Sequence, residues 1–323
     1  MEKGLLSFCV LCYNHGKFVT KTLESIWKME LPNIEIIIVD DGSKDTSVRA
    51  INELKEKSPC PCTLIAQKNT GNIGHNFNVA ISKANGELIT FIAADDFYEP
   101  VEFKKSFGII SSNKNCQFVA STKVCEVNSE GECTNEEVEP LEVDKLENPS
   151  VKDLLELDWR VLGSFYIQGC IFRKELVDAV HGFDEDIIGD DIVLRTKVFK
   201  YMIENNIDSF YLNHNPCVFY RRHGNNVSKN TIRQMLIVSE YLEKYWPERE
   251  NPDCFYGWLR FAINRHCTQE LLELFSKNLR MANCLSEKKV QEWLCQKIFE
   301  EKLRKKPVIW LFYRILRKIR GLL

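Results

Sequence analysis

Three pairs of adjacent aspartates, Asp40-Asp41, Asp95-Asp96 and Asp190-Asp191, are the residues best placed to do chemistry in this 323-residue chain. Neighbouring carboxylates repel, and the arrangement is tolerated where solvent, a cation or hydrogen-bond donors lie close. Carboxylates can hold a divalent ion through hard oxygen ligands. They can also take the proton of an attacking hydroxyl. The three pairs together point to a metal and a hydroxyl-rich ligand.

Two of the pairs are placed by short apolar runs. IEIIIV leads into Asp40 and ELITFIAA into Asp95. Both runs are rich in β-branched residues and bounded by turn residues, the pattern of buried parallel strands. LLSFCVLCYN forms a further strand ending at Tyr13 and Asn14, and CTLIAQ a short one. Between them, HGKFVTKTLESIWKM, TSVRAINELKEKS and NTGNIGHNFNVAISKANG carry apolar residues at helical spacing. Strands alternating with helices predict a doubly wound, mostly parallel α/β sheet with right-handed crossovers. Ligands bind such sheets beyond the carboxyl ends of the strands.

The domain expected is 1–230, with a first half 1–100 and a second half 101–230. Between Glu126 and Asp158 stand twelve acidic residues against Lys145 and Lys152, which reads as a surface excursion. From Thr231 the periodicity is helical throughout, giving a C-terminal helical appendage over 231–323. GWLRFAINRHCTQELLELFSKNLRMA reads as one helix within it.

The net charge of −3 hides an asymmetry. From Lys302 to Leu323 there are eight basic and no acidic residues, which leaves 35 basic against 46 acidic elsewhere. An acidic body with a basic tail lacks the basic face of a nucleic-acid binder. Pro307 suits the first position of a last helix. Trp310, Leu311, Tyr313, Arg314 and Arg317 fit an anionic membrane surface, and equally a helix packed on the body or on a partner. No apolar stretch reaches the ~18–20 residues that cross a bilayer, and no charged leader with a long apolar core opens the chain. The thirteen cysteines form no zinc-ribbon or finger spacing and read as reduced thiols. A cytoplasmic protein is expected, peripheral at the inner face of the membrane if the tail docks there.

SFCVLCYNHGKFVTKTLESI, IEIIIVDDGSKDTS, NTGNIGHNFNVAISKANGELITFIAADDFYEP, GFDEDIIGDDIVLR and VFYRRHGNNVS resemble, in order and spacing, the family 2 glycosyltransferases. The resemblance runs from about Leu5 to Ser228. It implies a GT-A fold, a nucleoside-diphosphate sugar donor (UDP favoured), a Mn²⁺ or Mg²⁺ ion and a hydroxyl acceptor on a glycan or lipid-linked saccharide. Transfer would proceed with inversion, in bacterial surface polysaccharide synthesis.

By that resemblance Asp40 accepts a hydrogen bond from the base, with Cys12, Tyr13 and Asn14 beside it. The alternative is a turn formed with Asp41, Gly42 and Ser43. Asp96 resembles the metal ligand, with Asp95 nearer the ribose or sugar. Asp191 resembles the general base, with Asp190 in reserve; the alternative for either is a helix cap. Asn72, Asn78 and Arg221 are candidate donor contacts, and His223 a candidate contact to the diphosphate or the metal. Asp184 and Asp186 read as turn residues. Trp159, Tyr166 and Gln168 suit an acceptor platform or the core.

The chain departs from the family at two positions. Ala93 stands where many members have an aspartate, and Phe77 where many have an arginine before the position of Asn78. His75 or Lys17 could replace that cation, while Asn76 can donate hydrogen bonds. A sugar nucleotidyltransferase would need a Gly-rich basic loop where CYNHGKF stands, and a dehydrogenase would need GxGxxG. A catalytically degenerate GT-A-fold binding or scaffold protein remains the non-enzyme alternative.

Overall fold

A computed structural model describes residues 1–134, 138–189, 191–224 and 230–306. The chain divides into two compact units, Met1–Asn226 and Val227–Leu323.

The first unit is built on a seven-stranded sheet. Its strands are β1 (Glu2–Cys12), β2 (Ile34–Asp40), β3 (Cys62–Ala66), β4 (Gly86–Ala93), β6 (Phe118–Ser121), β9 (Ile171–Arg173) and β10 (Tyr211–Asn213), in the order β10-β6-β9-β4-β1-β2-β3. All neighbours pair in parallel except β9, which runs antiparallel to both β4 and β6. The sheet is therefore mostly parallel, as the alternating pattern predicts.

Side chains alternate between its two faces with the period of a strand. Phe8 and Val10 of β1 join one apolar cluster with Ile36 and Ile38 of β2. Cys9 joins the other with Ile37 and Val39. The first cluster is covered by α1 (Val19–Trp27), α2 (Ser47–Lys55) and α4 (Pro100–Ser112) through Leu23, Ile51 and Phe103. The second is covered by α3 (Ile73–Lys83), α5 (Val151–Val161), α6 (Lys174–Ala179) and α7 (Asp191–Glu204) through Phe77, Leu154, Val177 and Phe199.

A second sheet, in the order β5-β11-β7-β8, joins β5 (Phe97–Tyr98), β7 (Lys123–Val127), β8 (Glu139–Pro140) and β11 (Val218–Arg221). Phe219 of β11 pairs with Phe97 on one side and Cys125 on the other. This pairing carries residues 221–223 to the segment that follows β4.

Two expectations need correction. The acidic stretch 126–158 is not simply a surface excursion. It contains the end of β7, a 3-10 turn at Glu142–Lys145 and most of α5, whose Val151, Leu154 and Leu157 enter the core. Those apolar residues recur at helical spacing among the acids, so one face of the helix is buried and the charges occupy the other. In the second unit, α8 (Thr231–Tyr245) and α12 (Lys288–Arg304) enclose three helices where one was expected. These are α9 (Asp253–Arg265), α10 (Thr268–Phe275) and α11 (Leu279–Cys284). Each break coincides with a new cap: Glu270 accepts from the Cys267 N–H, and Asn278 accepts from the Met281 N–H. Pro307 and the rest of the basic tail lie outside the described residues.

Gly86 sets how closely β4 begins against β1. A Cβ there would lie 2.6 Å from the Leu5 carbonyl oxygen and 2.7 Å from that of Leu88. Gly86→Ala should cost about 1–3 kcal/mol of stability. Gly108→Ala, inside α4 with open space around it, should gain about 0.5–1 kcal/mol. Thermal unfolding of both proteins checks the opposite signs.

Candidate active site

The strand order reverses between β1 and β4, and the candidate site forms at that switch point. Leu11 pairs with Ala93 and Cys12 with Asp40, so three strand ends are level. The turn from β1 to α1 brings His15 to Asp95, and β11 brings His223 to the same carboxylate from the other side. His223 Nε2 lies 2.9 Å and His15 Nε2 3.5 Å from Asp95 Oδ2. The ligating atoms of these three residues fall within 4.8 Å of one another. Phe18 stacks on the His223 ring at 5.1 Å and limits its rotation.

Two atoms of this cluster, Asp95 Oδ1 and His15 Nδ1, are buried without a hydrogen-bond partner among the described residues. A buried acceptor left unmatched carries a desolvation cost unless something binds it. Two imidazoles and a carboxylate around such an atom fit a divalent cation. Burial lowers the affinity of His15 for a proton against the opposing pull of Asp95, so it is disposed to be the neutral ligand a metal requires. Burial also acts to raise the Asp95 carboxyl. The His223 hydrogen bond and the charge of His15 outweigh it and hold Asp95 below the usual carboxylate range.

The cluster falls on Asp95 rather than on Asp96, the expected ligand. Asp96 is buried, and its Oδ1 accepts the Arg221 backbone N–H at 2.7 Å. Burial first, and then the charge of Asp95, push its carboxyl well above the usual range. The Asp96 carboxyl is thus turned inward, with one oxygen engaged by the backbone. The Arg221 side chain is likewise turned in, contrary to the expected donor contact. Its Nε donates to the Asp95 carbonyl at 2.6 Å, its Nη1 donates to the Ser129 carbonyl at 2.7 Å, and its guanidinium lies 4.7 Å from the Phe18 ring centre. Arg221 braces the cluster from behind.

At the end of β2, Asp40 accepts from the Ser43 N–H at 2.9 Å and from its hydroxyl at 2.5 Å, and is almost fully buried. Asp41 accepts from the N–H groups of Thr70 and Gly71 at 2.8 and 3.0 Å. Burial acts to raise the Asp41 carboxyl, and these bonds outweigh it and lower it. Cys12 is buried, and burial pushes its thiol up to about 12. Asn14 ties its turn to the segment after β2 by donating its N–H to the Ser43 hydroxyl and accepting from the Lys44 N–H. Tyr13 is exposed at this edge.

The α3 residues expected at the donor face elsewhere. Asn72 caps α3 by accepting from the His75 N–H at 3.0 Å, and donates to the Glu185 carbonyl at 2.9 Å. Asn78 accepts from the Phe183 N–H at 2.9 Å and donates to the Phe183 carbonyl at 2.9 Å and the Glu185 carboxylate at 2.8 Å. His75 Nδ1 lies 2.7 Å from Glu185. Phe77 is core, stacked on Phe183 at 5.1 Å. Asn76 is buried and accepts from Gln67 and Thr70. The helix therefore grips the 183–185 turn ahead of α7.

Asp191 opens α7, and its Oδ2 accepts the Ile167 N–H at 3.0 Å. Asp190 lies outside the described residues. Asp184 pairs with Lys197 at 2.7 Å. Tyr166 stacks on Tyr220 at 5.3 Å, and Gln168 accepts from the Ala93 N–H at 3.1 Å. His15 was absent from the sequence-derived candidates. Its signal was a histidine just past the end of the strand that neighbours the Asp95 strand.

The fold and sequence have known relatives. The family model for glycosyl transferase family 2 matches residues 7–177. GlyG, a glycosyltransferase of Streptococcus pneumoniae, is 27% identical over 231 residues, which cover 68% of this chain and 72% of GlyG. An uncharacterized glycosyltransferase of Nostoc sp. is 34% identical over 100 residues, 31% of either chain. The chain thus spans about a third of that relative's length. Staphylococcus aureus TarS in complex with UDP-GlcNAc shares the fold, with a TM-score of 0.55 at 18% identity over 94% of this chain and 78% of that one. So does the mannosyltransferase PcManGT of Pyrobaculum calidifontis in complex with GDP-Man and Mn²⁺, with a TM-score of 0.53 at 16% identity over 91% and 84%. A sheet with helices on both faces, a GT-A-type architecture and a family match over more than half of the chain lead to one conclusion: this protein belongs to glycosyl transferase family 2.

Proposed function

We propose that the protein is an inverting, cation-dependent glycosyltransferase that moves a sugar from a nucleoside diphosphate to a hydroxyl of a glycan or lipid-linked saccharide. The observation that carries this reading is the Asp95–His15–His223 cluster at the β1/β4 switch point, with two buried atoms lacking partners. A divalent ion bound there would neutralise charge on the departing diphosphate. Asp95, His15 and His223 are its proposed ligands. Asp40 and Tyr13 are the proposed base contacts.

Asp191 is the proposed base. It takes the acceptor hydroxyl proton as that oxygen forms a bond to the anomeric carbon. The bond from that carbon to the diphosphate breaks on the opposite side, and its electron pair leaves with the diphosphate oxygen. Asp191 at a helix N-terminus is favoured in its ionised form by the backbone dipoles. A UDP donor is supported by the TarS complex with UDP-GlcNAc, and a role in surface polysaccharide synthesis by the relative poly(ribitol-phosphate) β-N-acetylglucosaminyltransferase TarS, 28% identical over 109 residues.

Thermal unfolding with UDP, GDP, CDP and ADP, each with and without Mn²⁺, tests the reading. One diphosphate should raise Tm only when Mn²⁺ is present, by about 2.7 kcal/mol of added stability at a hundredfold excess over Kd. If no diphosphate does so, the donor site is misassigned. Turnover of the matching sugar nucleotide then separates an enzyme from a degenerate binding protein.

No helix among the described residues is long and apolar enough to cross a membrane. Docking of the basic tail on an anionic membrane is part of the proposal. The full chain should float with phosphatidylglycerol liposomes, and a chain ending at Lys306 should not. Equal flotation would remove the idea.

A further inference from the structure

Behind Asp191 lies an ion pair that the reaction outlined above does not use. Asp158 on α5 and Arg195 on α7 are 0% and 2% exposed. The Arg195 Nε donates to both carboxylate oxygens of Asp158, at 3.0 and 3.2 Å. Asp158 also accepts from the Ser164 N–H at 3.1 Å and the Ser164 hydroxyl at 2.5 Å. The pair is therefore held on several sides, and the guanidinium has a fixed direction.

That direction matters because Arg195 stands one turn after Asp191 on the same helix. Its Nη1 donates to the Phe165 carbonyl and lies 3.9 Å from Asp191 Oδ2. The same Oδ2 accepts the Ile167 N–H. The guanidinium also faces the Phe165 ring at 5.1 Å. One residue further, Gln168 accepts the N–H of Ala93 at the end of β4. The five residues Ser164 to Gln168 thus run from the buried pair, past Asp191, to the end of the strand that leads into Asp95 and Asp96.

A buried ion pair is weak ground for a stability role, because apolar side chains of similar volume often serve packing as well or better. A buried cation aimed at a carboxylate on the reaction side calls for a different account. A cation at this distance attracts that carboxylate and fixes where it points.

We propose that Arg195, oriented by Asp158, is a positioning residue that sets the Asp191 carboxylate against the donor side of the site. This rests on Asp191 being the base. Arg195 does not touch substrate and acts through Asp191 and the 164–168 segment.

The test uses the full chain with Mn²⁺ and a panel of UDP-GlcNAc, UDP-glucose and GDP-mannose, following hydrolysis, in which water takes the acceptor's place. Arg195→Gln should lower kcat by about 10²-fold, the scale of a small misplacement of a reacting group, and leave the donor KM within about twofold. Arg195→Lys, which keeps the charge, should recover part of the loss. In an Asp191→Asn background, Arg195→Gln should cause no further fall, because both act at one step. An inactive Asp191→Asn protein beside an Arg195→Gln protein of normal kcat would sink this proposal alone. So would equal losses in both backgrounds, or a loss confined to KM. An Asp191→Asn protein of normal turnover would sink the base assignment and this proposal with it. Should Arg195→Gln fail to fold, the apolar pair Asp158→Leu with Arg195→Met replaces it. A folded pair variant with normal kcat overturns the proposal, and a folded but slowed one supports it.

Discussion

Asp191→Asn should bind its sugar nucleotide normally and transfer the sugar about 10²–10⁴-fold more slowly, the usual contribution of general-base catalysis. Asparagine preserves the shape of aspartate and the acceptor for the Ile167 N–H. It removes the proton acceptor alone. The fold should survive, because the residue is the first of α7 and its side chain is a quarter exposed. The informative measurement pairs donor affinity, from Tm against donor concentration, with single-turnover transfer. A loss of rate at constant affinity places Asp191 in the transition state. Full rate would return the residue to the helix-cap role that its position also permits.

Asp95→Asn should remove the response of the protein to Mn²⁺, while Asp96→Asn should leave it nearly intact. Stripping one charged member from a buried pair costs about 2–5 kcal/mol, so cation-dependent donor binding should weaken roughly 30- to 5 × 10³-fold. Asp96 is disposed to be protonated and accepts the Arg221 N–H, and asparagine can accept that bond equally well. A loss of less than about threefold in donor affinity is expected there. The reverse ranking, measured by titrating Mn²⁺ into each protein, would return the ligand to Asp96. The donor set also fixes a preference among ions. Magnesium wants near-octahedral oxygen coordination, whereas imidazole suits transition metals. Mn²⁺ should therefore support donor binding at concentrations at least about tenfold below those needed for Mg²⁺, and His15→Ala should narrow the gap.

The sequence located the strand ends well, because each is an apolar run broken by charge. Asp40, the end of β1 and Ala93, two residues before Asp95, lie level in the sheet. By resemblance it pointed to Asp96 as the metal ligand, and it could not show that Arg221, 125 residues further on, takes Asp96 inward through its backbone N–H. His15 was visible as a residue type but not as a neighbour until the order of β1 and β4 was known. The α3 polar residues looked available for a ligand because their partners, Phe183 and Glu185, stand more than 100 residues away. Asp158 was hidden among acidic neighbours that read as solvated, although among the described acidic residues of that run it is the one fully buried, beside Arg195.

The grip of α3 on the 183–185 turn has a mechanical consequence. Three side chains of one helix, Asn72, His75 and Asn78, clasp a turn that belongs to the other half of the unit, and Phe77 stacks on Phe183 between them. Lifting the turn would break all of these contacts together, so it behaves as a fixed wall rather than as a hinged flap. Trimming Phe77, which is core, should therefore release the turn and lower Tm, and Asn78→Ala should do the same to a smaller degree.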